Sequence, residues 1–95
     1  MAVYLIVDIE VKEPAAYERY KTEVPALISK YGGEYLVRGG DFEILEGDWQ
    51  PNRLVLFRFP DKESVSAFLS DPEYQPLKNL RQRVAKTDIV MVEGM

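Results

Sequence analysis

VYLIVDIEV, residues 3–11, is the stretch that decides the fold. Val3, Leu5, Val7, Ile9 and Val11 fall on one side of an extended chain, and Tyr4, Ile6, Asp8 and Glu10 on the other, because successive side chains of a strand point to opposite faces. One face is dry and the other mixed. A strand of this kind belongs to a sheet that helices cover on one side.

Working outward, Pro14 suits the first turn of a helix, where its missing N–H costs nothing. Tyr17, Tyr20, Val24, Leu27, Ile28 and Tyr31 then recur at steps of three and four, one amphipathic stripe. Pro25 interrupts the stripe without shifting its phase, which predicts one bent helix rather than two. Gly32 and Gly33 supply a left-handed C-cap. Residues 34–38 form a second strand, with Tyr35 and Val37 on one face and Leu36 and Arg38 on the other. After Gly39 and Gly40, residues 42–46 are expected to extend again as a bent continuation. Residues 53–59 form a third strand, with Val55, Phe57 and Phe59 on the dry side and Leu54, Leu56 and Arg58 opposite. Asp61 caps a short helix through Val65, Phe68 and Leu69. Tyr74, Leu77, Leu80, Val84 and Ala85 mark a further helical piece, and residues 89–92 the last strand.

The order is β, α, β, β, α, β, with the second helix in two pieces. That is a ferredoxin-like α+β sandwich: a four-stranded antiparallel sheet with its helices on one face, filling residues 1–95 as one domain. The face away from the helices carries Tyr4, Ile6, Leu36, Leu54 and Leu56, and the last strand is apolar on both sides. A solvated face would be polar there. Four short strands give a flat face of roughly 320 Å², already the size of a patch that marks interaction. A homodimer is therefore expected, with residues 42–46 and the C-terminal segment enlarging the contact.

Composition narrows the chemistry. The 95 residues contain no Cys and no His, which removes thiolate chemistry, disulfides and the commonest general base, metal ligand and haem ligand. A net charge of −4 opposes phosphate backbones and anionic lipid surfaces, so neither nucleic acid nor membrane is an expected partner. The N-terminal segment lacks a basic region and meets Asp8 early, so a cytoplasmic location is expected. Glu10, Glu43 and Glu46 do not have a spacing that makes them converge, and no metal site or cofactor is expected.

The polar residues that share the mixed face are Tyr4, Asp8, Arg38 and Arg58. Between sheet and dimer partner they would line a cavity for a small ligand, with the arginines clamping a carboxylate or similar anion. An equally weighted reading makes Asp8 and an arginine an intersubunit ion pair. Tyr74 and Arg81, two helical turns apart, share a helix face and would line a pocket mouth. The competing reading puts Tyr74 in the core with Arg81 lying over it to reach solvent. Trp49 is expected to pack in its loop or against the partner.

YGGEYLVRGG from Tyr31, LEGDWQP from Leu45, RLVLFRFPD from Arg53, DPEYQPLKNLR from Asp71 and the closing VEG from Val92 together resemble the domain-of-unknown-function family 1330. The resemblance spans nearly the whole chain and implies a dimeric α/β barrel with a cleft in each subunit. It implies recurring polar positions at Arg38, Glu46, Arg53, Tyr74 and Arg81, and it supplies no reaction. Phe68-Leu69 and Asp71 depart from the pattern. The expected function is a small-molecule-binding homodimer, with any enzymatic activity directed at a small organic acid or carbonyl compound. The alternative is a non-catalytic ligand-sensing or protein-interaction module.

Overall fold

A computed structural model describes residues 1–95. Seven elements follow one another: β1 (Val3–Val11), α1 (Pro14–Lys30), β2 (Glu34–Arg38), β3 (Leu54–Phe59), α2 (Lys62–Ser70), α3 (Tyr74–Val84) and β4 (Ala85–Glu93). The strands form one sheet in the order β2-β3-β1-β4, and every pairing is antiparallel. This is the ferredoxin-like α+β sandwich. No helix is long and apolar enough to cross a membrane.

The alternation of β1 sets the layering. Val3, Leu5, Val7 and Ile9 are all buried and join Val55 and Phe59 of β3 under Tyr17, Val24, Leu27 and Ile28 of α1. Val65 and Phe68 of α2 and Tyr74, Leu77, Leu80 and Val84 of α3 complete the core. Burying a large apolar side chain contributes about 1.5–3 kcal/mol, so this cluster holds the helices to the odd-numbered face of β1.

Local chemistry sets the helix ends. At the end of α1, Gly33 N–H donates to the Ile28 carbonyl at 2.9 Å and Gly32 N–H to the Ser29 carbonyl at 3.0 Å. This is the Schellman pattern, and Gly32 adopts the φ of 77° that it needs. At α2, the Asp61 carboxylate accepts from Ser64 N–H at 2.7 Å. Pro76 falls in the first turn of α3, where backbone N–H groups have no helical acceptor, so the helix starts before it.

Three local expectations change. Residues 42–46 form no strand and are exposed, because extended backbone becomes strand only with a ladder partner and none lies beside it. β4 begins at Ala85 rather than Ile89, directly after α3. Its partner β1 draws Lys86, Thr87 and Asp88 into register with Glu10, Ile9 and Asp8, which overrides their weak strand character. The third change is a β-bulge in β2. Tyr35 lies opposite Phe57, but Val37 lies opposite Leu56 and Arg38 opposite Val55, so one extra residue turns Val37 and Arg38 over.

Candidate functional site

The bulge decides where the polar groups go. Arg38, expected on the open face with Leu36, lies on the helix side, where its Nη2 donates to the Lys21 carbonyl of α1 at 2.7 Å. Its guanidinium sits 4.6 Å from the centre of the Tyr35 ring. On that side a cavity opens between the helices and the sheet. Its empty space is about 550 Å³ including the open mouth, of which the centre of a water molecule can reach about 40 Å³. That is room for a few waters or a compact organic molecule.

Leu5, Val7 and Ile9 of β1 form the floor, and α1 contributes Tyr17, Tyr20 and Lys21. Arg38 comes from the end of β2 and Arg53 precedes β3, while Tyr74 and Arg81 come from α3 and Thr87 from β4. Lys21, Arg38, Arg53 and Arg81 are four cations, and no Asp or Glu lines the cavity.

At its closed end the Tyr20 and Tyr74 hydroxyls share a hydrogen bond of 2.9 Å. Tyr17 stacks on Tyr20 at 5.5 Å between ring centres. Arg81 lies beside them, its Cζ 5.9 Å from the Tyr20 ring centre. Arg81 is only 6% exposed, forms no ion pair, and its Nε has no hydrogen-bond partner. A buried guanidinium ordinarily has a carboxylate or a full set of acceptors. Burial opposes its charge, the Tyr74 and Tyr20 phenols favour it, and the net direction is upward. The Thr87 hydroxyl is a second buried polar group without a partner.

Burial raises the Tyr20 phenol, with Tyr74 adding to the effect. Burial likewise raises Tyr17 and Tyr35 against the opposing arginines. These phenols therefore stay protonated at neutral pH and act as donors. The site has many donors and few acceptors, the complement of an oxyanion.

The six expected site residues divide between two faces. Arg38, Tyr74 and Arg81 line the helix-side cavity. Tyr4, Asp8 and Arg58 do not. Asp8 accepts from Trp49 Nε1 at 3.2 Å and from Asn52 N–H at 2.9 Å, anchoring the loop before β3. Arg58 pairs with Glu34 at 3.4 Å. The shared face expected for Asp8, Arg38 and Arg58 is thus corrected by the bulge, and the cavity lies under the helices instead of against the open face. Arg81 does not reach solvent over Tyr74, since both are buried.

Tyr17, Tyr20 and Thr87 escape a reading of pattern alone. For Tyr17 and Tyr20 the signal was the placement of phenols in an apolar helical stripe, which puts hydroxyls into a core that offers them few acceptors; Thr87 carried none. No group of three or more acidic side chains gathers to hold a metal ion.

The family described as Domain of unknown function (DUF1330) matches residues 2–95. The chain belongs to this family. No protein of curated function matches this DUF1330 chain. Among solved structures it is similar to RPA0582, a protein of unknown function from Rhodopseudomonas palustris, with TM-score 0.82 and 15% identity over 99% of this chain and 82% of that one. SnoaB, a cofactor-independent oxygenase from Streptomyces nogalater, superposes with TM-score 0.69 and 14% identity over 99% and 93% of the two chains. A dimeric ferredoxin-like protein of unknown function from Jannaschia sp. CCS1 gives TM-score 0.66 and 16% identity over 99% and 100%. At such identities the DUF1330 chain shares their fold and nothing further follows from the likeness.

Proposed function

We propose that this chain is a homodimeric binding protein for a small organic acid, whose carboxylate is taken by Arg81 at the closed end of the cavity. The observation that carries the reading is the buried Arg81 guanidinium without an acidic partner, set beside two phenolic hydroxyls. A carboxylate supplies the missing charge and an acceptor for Arg81 Nε. The apolar floor and the tyrosine rings suit a hydrocarbon or aromatic body.

Dimerisation is supported by the uncovered sheet face. Leu36 and Val37 are 49% and 38% exposed there, Val90 and Val92 58% and 46%, and the bulge adds Val37 to the apolar set. The Jannaschia protein of the same fold is dimeric. Two such faces in contact would remove both patches from water.

The lining holds no carboxylate and no imidazole, which favours binding over base-driven turnover. Any reaction here would use the donors to stabilise negative charge on a carbonyl or enol oxygen, in a substrate reactive enough to need no cofactor. SnoaB, an oxygenase of the same fold, is cofactor-independent. The experiment is calorimetric titration of benzoate and hexanoate into wild-type protein and Arg81→Met at pH 7. Binding by the wild type that Arg81→Met loses at least tenfold supports the reading, and equal affinities overturn it.

A further inference from the structure

We propose that Arg53 is a second anion anchor, so that the ligand carries a carboxylate at each end of a short apolar spacer. This rests on the reading that Arg81 takes the first carboxylate. Arg53 is half-buried, lines the same cavity and forms no ion pair.

The chain holds Arg53 in place by omitting a side chain. A Cβ on Gly39 would stand 2.3 Å from Arg53 Nε and 2.9 Å from Nη2, so the guanidinium lies against bare backbone. Gly39 also has a φ of +71°, a conformation that favours glycine. Arg38 is the neighbouring cation, but its Nη2 is committed to the Lys21 carbonyl. Arg53 has neither a carboxylate nor a backbone carbonyl as partner, and the protein group it meets is the Tyr17 phenol.

The two anchors enter the cavity from different elements, Arg53 from the position before β3 and Arg81 from α3. Ile9 N–H donates to the Arg53 carbonyl at 2.9 Å, and Ile9 lies opposite Thr87 on its other side. Arg53 and Thr87 are therefore two strand spacings apart, about 10 Å between backbones. Arg81 is carried by α3, the helix that leads into β4, and lines the cavity together with Thr87. The stacked Tyr17 and Tyr20 rings and the Ile9 side chain line the cavity with them. Tyr17 lies within reach of both: burial raises its phenol, while Arg53, which also hydrogen-bonds to it, and Arg81 pull it down. A doubly charged ligand neutralises two cations that the protein leaves unpaired, and a monoacid neutralises one.

The test titrates succinate, glutarate, adipate and pimelate, with butyrate, valerate, hexanoate and heptanoate as monoacids of matching length, into the full chain at pH 7. One diacid is expected to bind at least tenfold tighter than its matched monoacid. Arg53→Gln should abolish that gain, weakening the diacid at least tenfold more than its matched monoacid, with Arg53→Met used if Arg53→Gln melts more than a few degrees low. Diacids no tighter than monoacids, or equal weakening of both by the Arg53 variants, overturn the second anchor alone. Failure of every acid to bind overturns the Arg81 reading along with it.

Discussion

Pro25 frees the carbonyl that Arg38 uses. In an α-helix the Lys21 carbonyl would accept from the N–H of residue 25, but proline has none, and α1 runs through Pro25 as one helix. Arg38 Nη2 takes the vacant acceptor at 2.7 Å. A helix defect is thereby converted into a tie between α1 and the end of β2, at the rim of the cavity.

Pro25→Ala should accordingly stabilise the protein by less than the roughly 3 kcal/mol that a proline costs in a helix interior, because the orphaned carbonyl is already satisfied. Arg38→Met should cost about 1 kcal/mol more in the wild type than in the Pro25→Ala background, where only its contact with the Tyr35 ring is lost. Urea denaturation of the two single variants and the double variant measures this coupling. Additive effects would show that the two residues act independently.

Arg81→Met should lose acid binding while leaving the stability of the ligand-free protein within about 1 kcal/mol of wild type, since the phenols that favour the guanidinium offset the cost of burying it and the apolar chain is of similar length. A binding residue and a structural one differ here in the size of the ligand-free change. Thermal melts without ligand make the distinction, and a melting temperature many degrees below wild type would assign Arg81 a structural role.

Asp71 provides the acid-sensitive link. It is tied by the Tyr31 hydroxyl, by Lys30 Nζ at 2.9 Å and by Glu73 N–H at 2.7 Å. Tyr31 first, then Lys30 and the Glu73 amide, hold its carboxyl down from the ordinary 3.8 to about 2. Because the folded value lies below the unfolded one, this contribution to stability is complete above pH of about 4 and is lost as the pH falls through about 2. The melting temperature of Asp71→Asn should therefore sit below wild type at pH 6, with the gap closing between pH 4 and 2. A gap that does not change with pH would remove Asp71 from the account.

Leu56→Glu tests the dimer. Leu56 lies opposite Ile6 on the uncovered face of the sheet and is only half-buried in the protomer, so a charge there disturbs the protomer core little but would be unpaired between two sheets. Light scattering should show the molar mass halve while circular dichroism stays that of the wild type. A wild-type protein that is already monomeric at micromolar concentration would refute the proposed pairing.

Periodicity along the chain determined the elements and the side of the sheet that the helices cover. The two-residue repeat of β1 and the three-four repeat of α1 are properties of each segment's own geometry, and the Gly32 and Asp61 caps are satisfied within a few residues. Each could be read without knowing any neighbour. The position of Arg38, the early start of β4 and the unpaired loop at 42–46 depend on which strand lies alongside which. A bulge is a mismatch between two strands and leaves no mark in the alternation of one. The cavity is more distant still from sequence, because the unpaired state of Arg81 is a statement about every group that surrounds it. Only packing the helices on the sheet decided that no carboxylate would be there.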